Sequence, residues 1–218
     1  MMNTLKVQKS LPAIFISFLL LFSACGKNPN SEALINSSPV KRGKITSVDH
    51  TWVKRQSIGN CWIYAVATWA ESLHLTATGR KINISESYWT YWSLYNSLTK
   101  GKFDKDLKKK TKTIVTGGTF YDARRIIQKH GYMLEGDFIP SERNARMSKI
   151  QERVEKLINQ EIQKGGELYR KKDRTSRKVK AFLNKAFGIK ARVFKKKKSG
   201  KKLITGYTQG GNKISLFQ

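Results

Sequence analysis

Gln56-Ser57-Ile58-Gly59-Asn60-Cys61-Trp62-Ile63-Tyr64-Ala65 is the stretch on which the fold turns. From Cys61 onward Ala65, Ala67, Trp69 and Ala70 form a strongly helical run that extends to about Leu75, where Thr76, Thr78 and Gly79 end it. Asn60 stands where an N-cap belongs. A cysteine in the first turn of a helix faces unpaired backbone N–H groups and the positive end of the macrodipole, and both favour thiolate over thiol. Gly59 lets backbone approach closely just before the helix, where an acyl substrate would have to lie. Gln56, a few residues upstream, can aim its side-chain amide at the same spot. With the N–H of Cys61 it would complete a two-donor oxyanion hole.

Downstream, Ser85 reads as a second N-cap, with Tyr88, Trp89, Trp92 and Tyr95 at helical spacing behind it. That aromatic stripe is most simply core packing; a ligand-stacking platform is the alternative. Lys100 to Lys112 reads as a lysine-rich, solvated loop. Thr116-Gly117-Gly118-Thr119 precedes a helix carrying Ala123, Ile126 and Ile127, which Gly131 ends. Pro140 marks the next break. Met147, Ile150, Val154, Leu157, Ile158 and Ile162 then recur at three- and four-residue steps, the pattern of a long amphipathic helix. Gly165-Gly166 interrupts it, and Val179, Phe182, Leu183 and Phe187 make a shorter apolar face up to Gly188. Beyond it, residues 191–194 and 203–205 read as candidate strands flanking a basic turn at 195–202.

The N-terminus sets the compartment. Lys6 and Lys9 precede an apolar stretch from Leu11 to Phe22, and Ser23-Ala24-Cys25 closes it with small residues. This is the layout of a secretory signal, too short for a stable transmembrane helix. The cysteine after the small residues resembles a bacterial lipobox, in which the sulfur is acylated and becomes the first mature residue. An ordinary signal peptide with an incidental cysteine is the alternative. Residues 25–45 then form a polar, lipid-anchored linker. Cys25 and Cys61 are the two cysteines, so an acylated Cys25 leaves Cys61 as a lone, reactive thiol in an exported protein. A Cys25–Cys61 disulfide is the other arrangement. The chain carries 43 Lys and Arg against 15 Asp and Glu, a formal charge of +28 that falls to about +26 without residues 1–24. Such a surface attracts anionic lipid or nucleic acid nonspecifically, whatever the fold.

The residues around Cys61 carry a family likeness. Gln56, Gly59 and Cys61-Trp62, followed by an aromatic-Ala step, resemble the active-site segment of papain-like cysteine peptidases. Ile84-Ser85-Glu86-Ser87-Tyr88, Gly117-Gly118 with Ile126-Ile127 and Lys129-His130-Gly131, and a charged helical insertion over 143–180 are similar to the bleomycin-hydrolase branch of that superfamily. The likeness runs from about Val53 to Gly188. It implies an α+β fold: a papain-like helical lobe at 46–188 with a long helical insertion, then an incomplete basic segment at 189–218 where the β lobe would follow. It also implies peptide-bond hydrolysis on a peptide or protein substrate through Cys61, with Gln56 in the oxyanion hole and no cofactor or metal.

Two departures accompany it. Four residues separate Gln56 from Cys61, one fewer than the family pattern. The general-base histidine of papain follows its cysteine by roughly 130–150 residues, whereas the histidines here are His50, His74 and His130. None is placed to serve, and Asn212 does not match the family's asparagine segment. The chain therefore reads as a truncated or degenerate peptidase. The alternatives are an inactive papain-like binding lipoprotein, or a basic lipoprotein binding anions through Lys108 to Lys110, Arg170 to Lys172 and Lys195 to Lys198. Aromatics are not interleaved with these lysine runs, and a solvated surface is the simpler reading of them. Without a second lobe, the inner face of the cysteine helix is expected to stay exposed and to leave the chain unstable alone.

Overall fold

Short polar residues open the helices and glycines close several of them. The computed structural model describes residues 50–106 and 110–199, and the backbone of 207–209 and 212–214. The signal, the linker, Cys25, Lys108, Lys109 and residues 203–205 lie outside the described residues. Helix α1 spans Cys61–Thr78 and stops at Gly79, whose φ of 66° lets its N–H reach the Leu75 carbonyl at 2.7 Å. Helix α2, Glu86–Lys100, is capped by Ser85, whose Oγ accepts the Tyr88 N–H. Helix α3, Phe120–His130, opens on a reciprocal box in which Thr119 and Asp122 satisfy each other's backbone N–H. Helices α4, Lys149–Glu161, and α5, Ser176–Phe187, start at Ser148 and Thr175, each bonded to the N–H three residues on. Short 3-10 turns at Pro140–Glu142, Lys171–Asp173 and Ala191–Lys196 complete the connections.

Two antiparallel hairpins add the β component, so the chain is mixed α and β with helices dominant. Strands β1, Phe103–Asp106, and β2, Thr111–Ile114, pair with Phe103 opposite Ile114. Strands β3, Tyr207–Gln209, and β4, Asn212–Ile214, pair with Tyr207 opposite Ile214, and β3 passes beside α1.

Two sequence expectations are corrected here. The lysine-rich segment from 100 to 112 is not merely a solvated loop, because it contains β1 and the start of β2. Helix α4 and the turn just after it supply the partners that periodicity along this segment cannot reveal. Gln163 accepts the Lys112 N–H at 3.1 Å and donates to its carbonyl at 2.6 Å, while Asn159 accepts the Ile114 N–H at 2.8 Å. Residues 191–194 form 3-10 turn rather than strand. That turn drives Phe194 onto Tyr88, Tyr91, Trp92 and Phe138, with ring centroids 5.2–6.2 Å apart. Packing overrides the weak β preference of Val193 and Phe194.

The charged stretch at 143–180 is part of the body of the protein. Val154, Ile158, Val179 and Leu183 are fully buried in one core with Ile63 and Ala67 of α1 and Tyr88 and Tyr91 of α2. The aromatic stripe divides: Tyr88 and Trp89 are buried, and Trp92 and Tyr95 are half-buried. Trp89 also donates to the Gly131 carbonyl at 3.0 Å, which ties α2 to the end of α3.

Candidate active site

The approach to Cys61 is fastened from three sides. The Arg55 N–H donates to the Arg146 carbonyl at 2.7 Å, and Ser57 Oγ donates to the Ser148 carbonyl at 2.6 Å. Asn60 occupies the N-cap position of α1, but its side chain makes no capping bond, contrary to the role its position suggests. It turns inward, where Nδ2 donates to Thr90 Oγ1 and to Gln151 Oε1, both at 2.8 Å. Gln151 Nε2 continues to Ser87 Oγ, and Ser87 Oγ donates to Glu142 at 2.6 Å. The other Glu142 oxygen accepts from Ser148 Oγ. This buried chain joins α1, α2 and the start of α4 directly beneath the cysteine. It is a string of amides and hydroxyls closing on one carboxylate. Oδ1 of Asn60 is buried without a partner among the described residues.

A second polar cluster holds residues 51–54. Lys54 Nζ sits 2.6 Å from Glu86, 2.7 Å from Glu135 and 3.1 Å from the Ile84 carbonyl. Thr51 donates to Glu71, which also accepts the Ile84 N–H at 2.6 Å. Burial, followed by the charge of Glu86, pushes the Glu135 carboxyl up to about 8 against the opposing pull of Lys54. Burial likewise raises Glu71.

Because Asn60 does not cap α1, the first turn is left without a side-chain partner among the described residues. Cys61 stands there as a free, exposed thiol. Gln56 is exposed, and its amide has no protein partner among the described residues. The Thr116 to Gly118 loop lies against the same helix end. Trp62 Nε1 donates to the Thr116 carbonyl at 2.9 Å. A Cβ on Gly59 would stand 2.7 Å from Thr116 Oγ1, and one on Gly118 would stand 2.6 Å from the Trp62 ring. A side chain at either position would force Thr116 or Trp62 to shift, and the neighbour met at Gly59 is the Thr116 hydroxyl.

The histidines are elsewhere. His74 lies on α1 itself, thirteen residues from Cys61, a rise of about 20 Å. His50 is exposed and bonds the neighbouring Thr51 carbonyl at 2.7 Å. His130 is stacked on Trp92, 3.6 Å between centroids and 9° between planes, with Nε2 buried and unpartnered among the described residues. Burial, then the charges of Lys129, Lys197 and Lys180, push its pKa down to about 4. It is a packing residue, as the sequence suggests. Among the described residues, no group of three or more His, Cys, Asp or Glu could hold a metal ion, and no helix is long and apolar enough to cross a membrane.

The face of α1 that carries Cys61 continues through Ala65 to Trp69, all exposed. Trp69 meets Phe120 at 5.5 Å, and Phe120 leads to Tyr121, which is 67% exposed. The aromatics and lysines that are separate in sequence do meet at the far side of α2. Lys180 Nζ lies 5.8 Å and 5.6 Å from the Trp92 and Tyr95 rings, and Lys195 and Lys197 line the same cavity. The Asn60–Gln151–Glu142 network escaped the sequence reading because its members are up to 91 residues apart; polar residues at core-facing positions of α4, Gln151 above all, were the available signal. No family model, curated protein or solved structure matches this chain.

Proposed function

We propose that this chain is the nucleophile-bearing, helical part of a papain-type cysteine peptidase of the bleomycin-hydrolase-like branch. The observation that carries the reading is an exposed, free thiol at the uncapped first turn of a buried helix, beside a glycine loop clamped to Trp62. In this reading Cys61 sulfur attacks the peptide carbonyl carbon, and the developing oxyanion takes hydrogen bonds from the Cys61 N–H and the Gln56 amide. The amine leaves with a proton, and water hydrolyses the thioester. In this reading the proton acceptor is none of His50, His74 and His130, which are engaged or remote, and a partner segment, of the same protein or of another, supplies it. The exposed Cys61–Ala65–Trp69 face, with Phe120 and Tyr121, is where that partner would close the cleft.

Two measurements separate acylation from the missing base. With a p-nitrophenyl ester of a blocked peptide, we expect a burst of one equivalent of nitrophenol, faster than with N-acetylcysteine at the same pH. The burst is absent in Cys61→Ala, and added imidazole accelerates the slow turnover that follows. A Cys61 that reacts no faster than the free amino acid would instead favour an inactive scaffold that binds peptides, the reading the histidine positions also support. Acylation of Cys25 and a bacterial envelope location belong to the same proposal and rest on the sequence. Radiolabelled palmitate should enter the expressed protein and be lost in Cys25→Ser; equal incorporation in both would remove the anchor from the proposal.

A further inference from the structure

We propose that the groove between α2 and α3 binds a ligand bearing at least two negative oxygens, a diphosphate or a pair of carboxylates. The inference stands on the groove's own geometry and does not require Cys61 to be catalytic. On α2, Ser93, Asn96 and Lys100 recur at three- and four-residue steps and so share one face. On α3, Arg125 and Lys129 do the same. Gly101, with φ of 69°, turns the chain so that Lys102 returns to the same place. These six residues line one cavity of about 260 Å³, below the usual size for a drug-like ligand and suited to a small one.

The three lysines of the groove are uncompensated. Asp122 is its one acidic lining residue, and it is already engaged by Arg125 at 2.6 Å and by the Thr119 N–H and hydroxyl at 3.0 and 2.8 Å. Lys100, Lys102 and Lys129 form no ion pair among the described residues. Ser93 and Asn96 likewise keep their side-chain donors free of protein partners there. Lysines at helix C-termini do offset the macrodipole, and this accounts for Lys100 and Lys129. Asp122 accounts for Arg125, and neither accounts for Lys102 or for the two free polar side chains beside it. The larger aromatic cavity beyond His130 is a weaker site, because the Trp92 ring is already covered by His130 and Lys180. Trp62 and Gly117 also line the α2–α3 groove. It therefore opens beside the Cys61 segment, and an acidic side chain of a peptide is one source of the anion, free diphosphate the other.

Calorimetric titration of the whole chain in roughly 0.15 M salt tests this with two probes, inorganic pyrophosphate and a blocked tri-glutamate peptide. We expect saturable one-to-one binding of at least one probe, weakened tenfold or more in K100Q/K129Q and unchanged in K171Q/K172Q, which removes the same charge elsewhere. Binding of pyrophosphate alone assigns the groove to a free phosphate ligand; comparable binding of the peptide assigns it to an acidic segment. Equal weakening in both double variants would mean diffuse surface charge and overturn the proposal. So would the absence of saturable binding by either probe. All four substituted lysines are exposed, so the variants fold as the parent does, and their circular dichroism checks that they do.

Discussion

Lys54→Met is expected to lose about 3–5 kcal/mol of stability at pH 8.5, the cost of removing one partner from a buried ion cluster. The lysine side chain is 10% exposed and bridges Glu86 and Glu135, themselves 6% and 5% exposed. Without it two carboxylates face each other in a space that water does not reach. The loss should depend on pH, with a sign fixed by Glu135. Its folded pKa of about 8 lies above the usual value near 4.5. A carboxyl raised in this way contributes stability that is full below about 4.5 and is lost as pH rises through about 8. Removing Lys54 takes away the one charge opposing that rise. Urea unfolding should therefore show the variant's deficit shrinking steadily from pH 8.5 to pH 5, as Glu135 protonates. The triple variant K54M/E86Q/E135Q, neutral throughout, should regain most of the stability at pH 8.5. A deficit independent of pH would mean that Lys54 acts through packing alone.

Trp89→Ala should be comparably damaging, about 3–5 kcal/mol, as for other large aromatic truncations in a core. Trp89 is 1% exposed and fills the space between α2 and the end of α3. Its Nε1 satisfies the Gly131 carbonyl at the turn where α3 ends. Trp89→Phe separates the two contributions. It keeps most of the buried ring but leaves that carbonyl unpaired, so about 1–3 kcal/mol should be lost. Chemical denaturation of both variants measures the difference. Equal losses would show that the ring's packing adds little beyond the hydrogen bond, a negligible loss for the phenylalanine variant would show that the hydrogen bond contributes little, and a loss under about 1 kcal/mol for the alanine variant would contradict the packing described for α2.

Legibility differed from element to element for identifiable reasons. Helices α1, α2, α3 and α5 were readable from local signals, Ser85 at one opening and Gly79, Gly131 and Gly188 at the ends, and α4 from its apolar three- and four-residue steps. The β1–β2 hairpin was not, because its edge is satisfied by Asn159 of α4 and by Gln163 just past its end, some fifty residues away. The 3-10 turn at Ala191–Lys196 was missed for a related reason, since Phe194 takes its conformation from the ring cluster it joins. At the site, Cys61 at the head of a helix was legible; the contact of Gly59 with the Thr116 hydroxyl, distant in sequence, was not. The role of Asn60 was not, since a residue with the right identity for a cap is drawn inward by Thr90 and Gln151.

The sequence by itself determined the helices, the position of Cys61 at a helix start, and the excess of positive charge. Those features depend on residues within one or two turns of each other, where propensity, capping and periodicity act. Tertiary structure alone decided that the 143–180 stretch belongs to the core, that Asn60 anchors the cysteine loop instead of capping it, and that cations from α2 and α3 converge on one groove. Each of these requires partners dozens of residues apart, and only packing of the apolar faces brings such partners within hydrogen-bond or Coulombic reach.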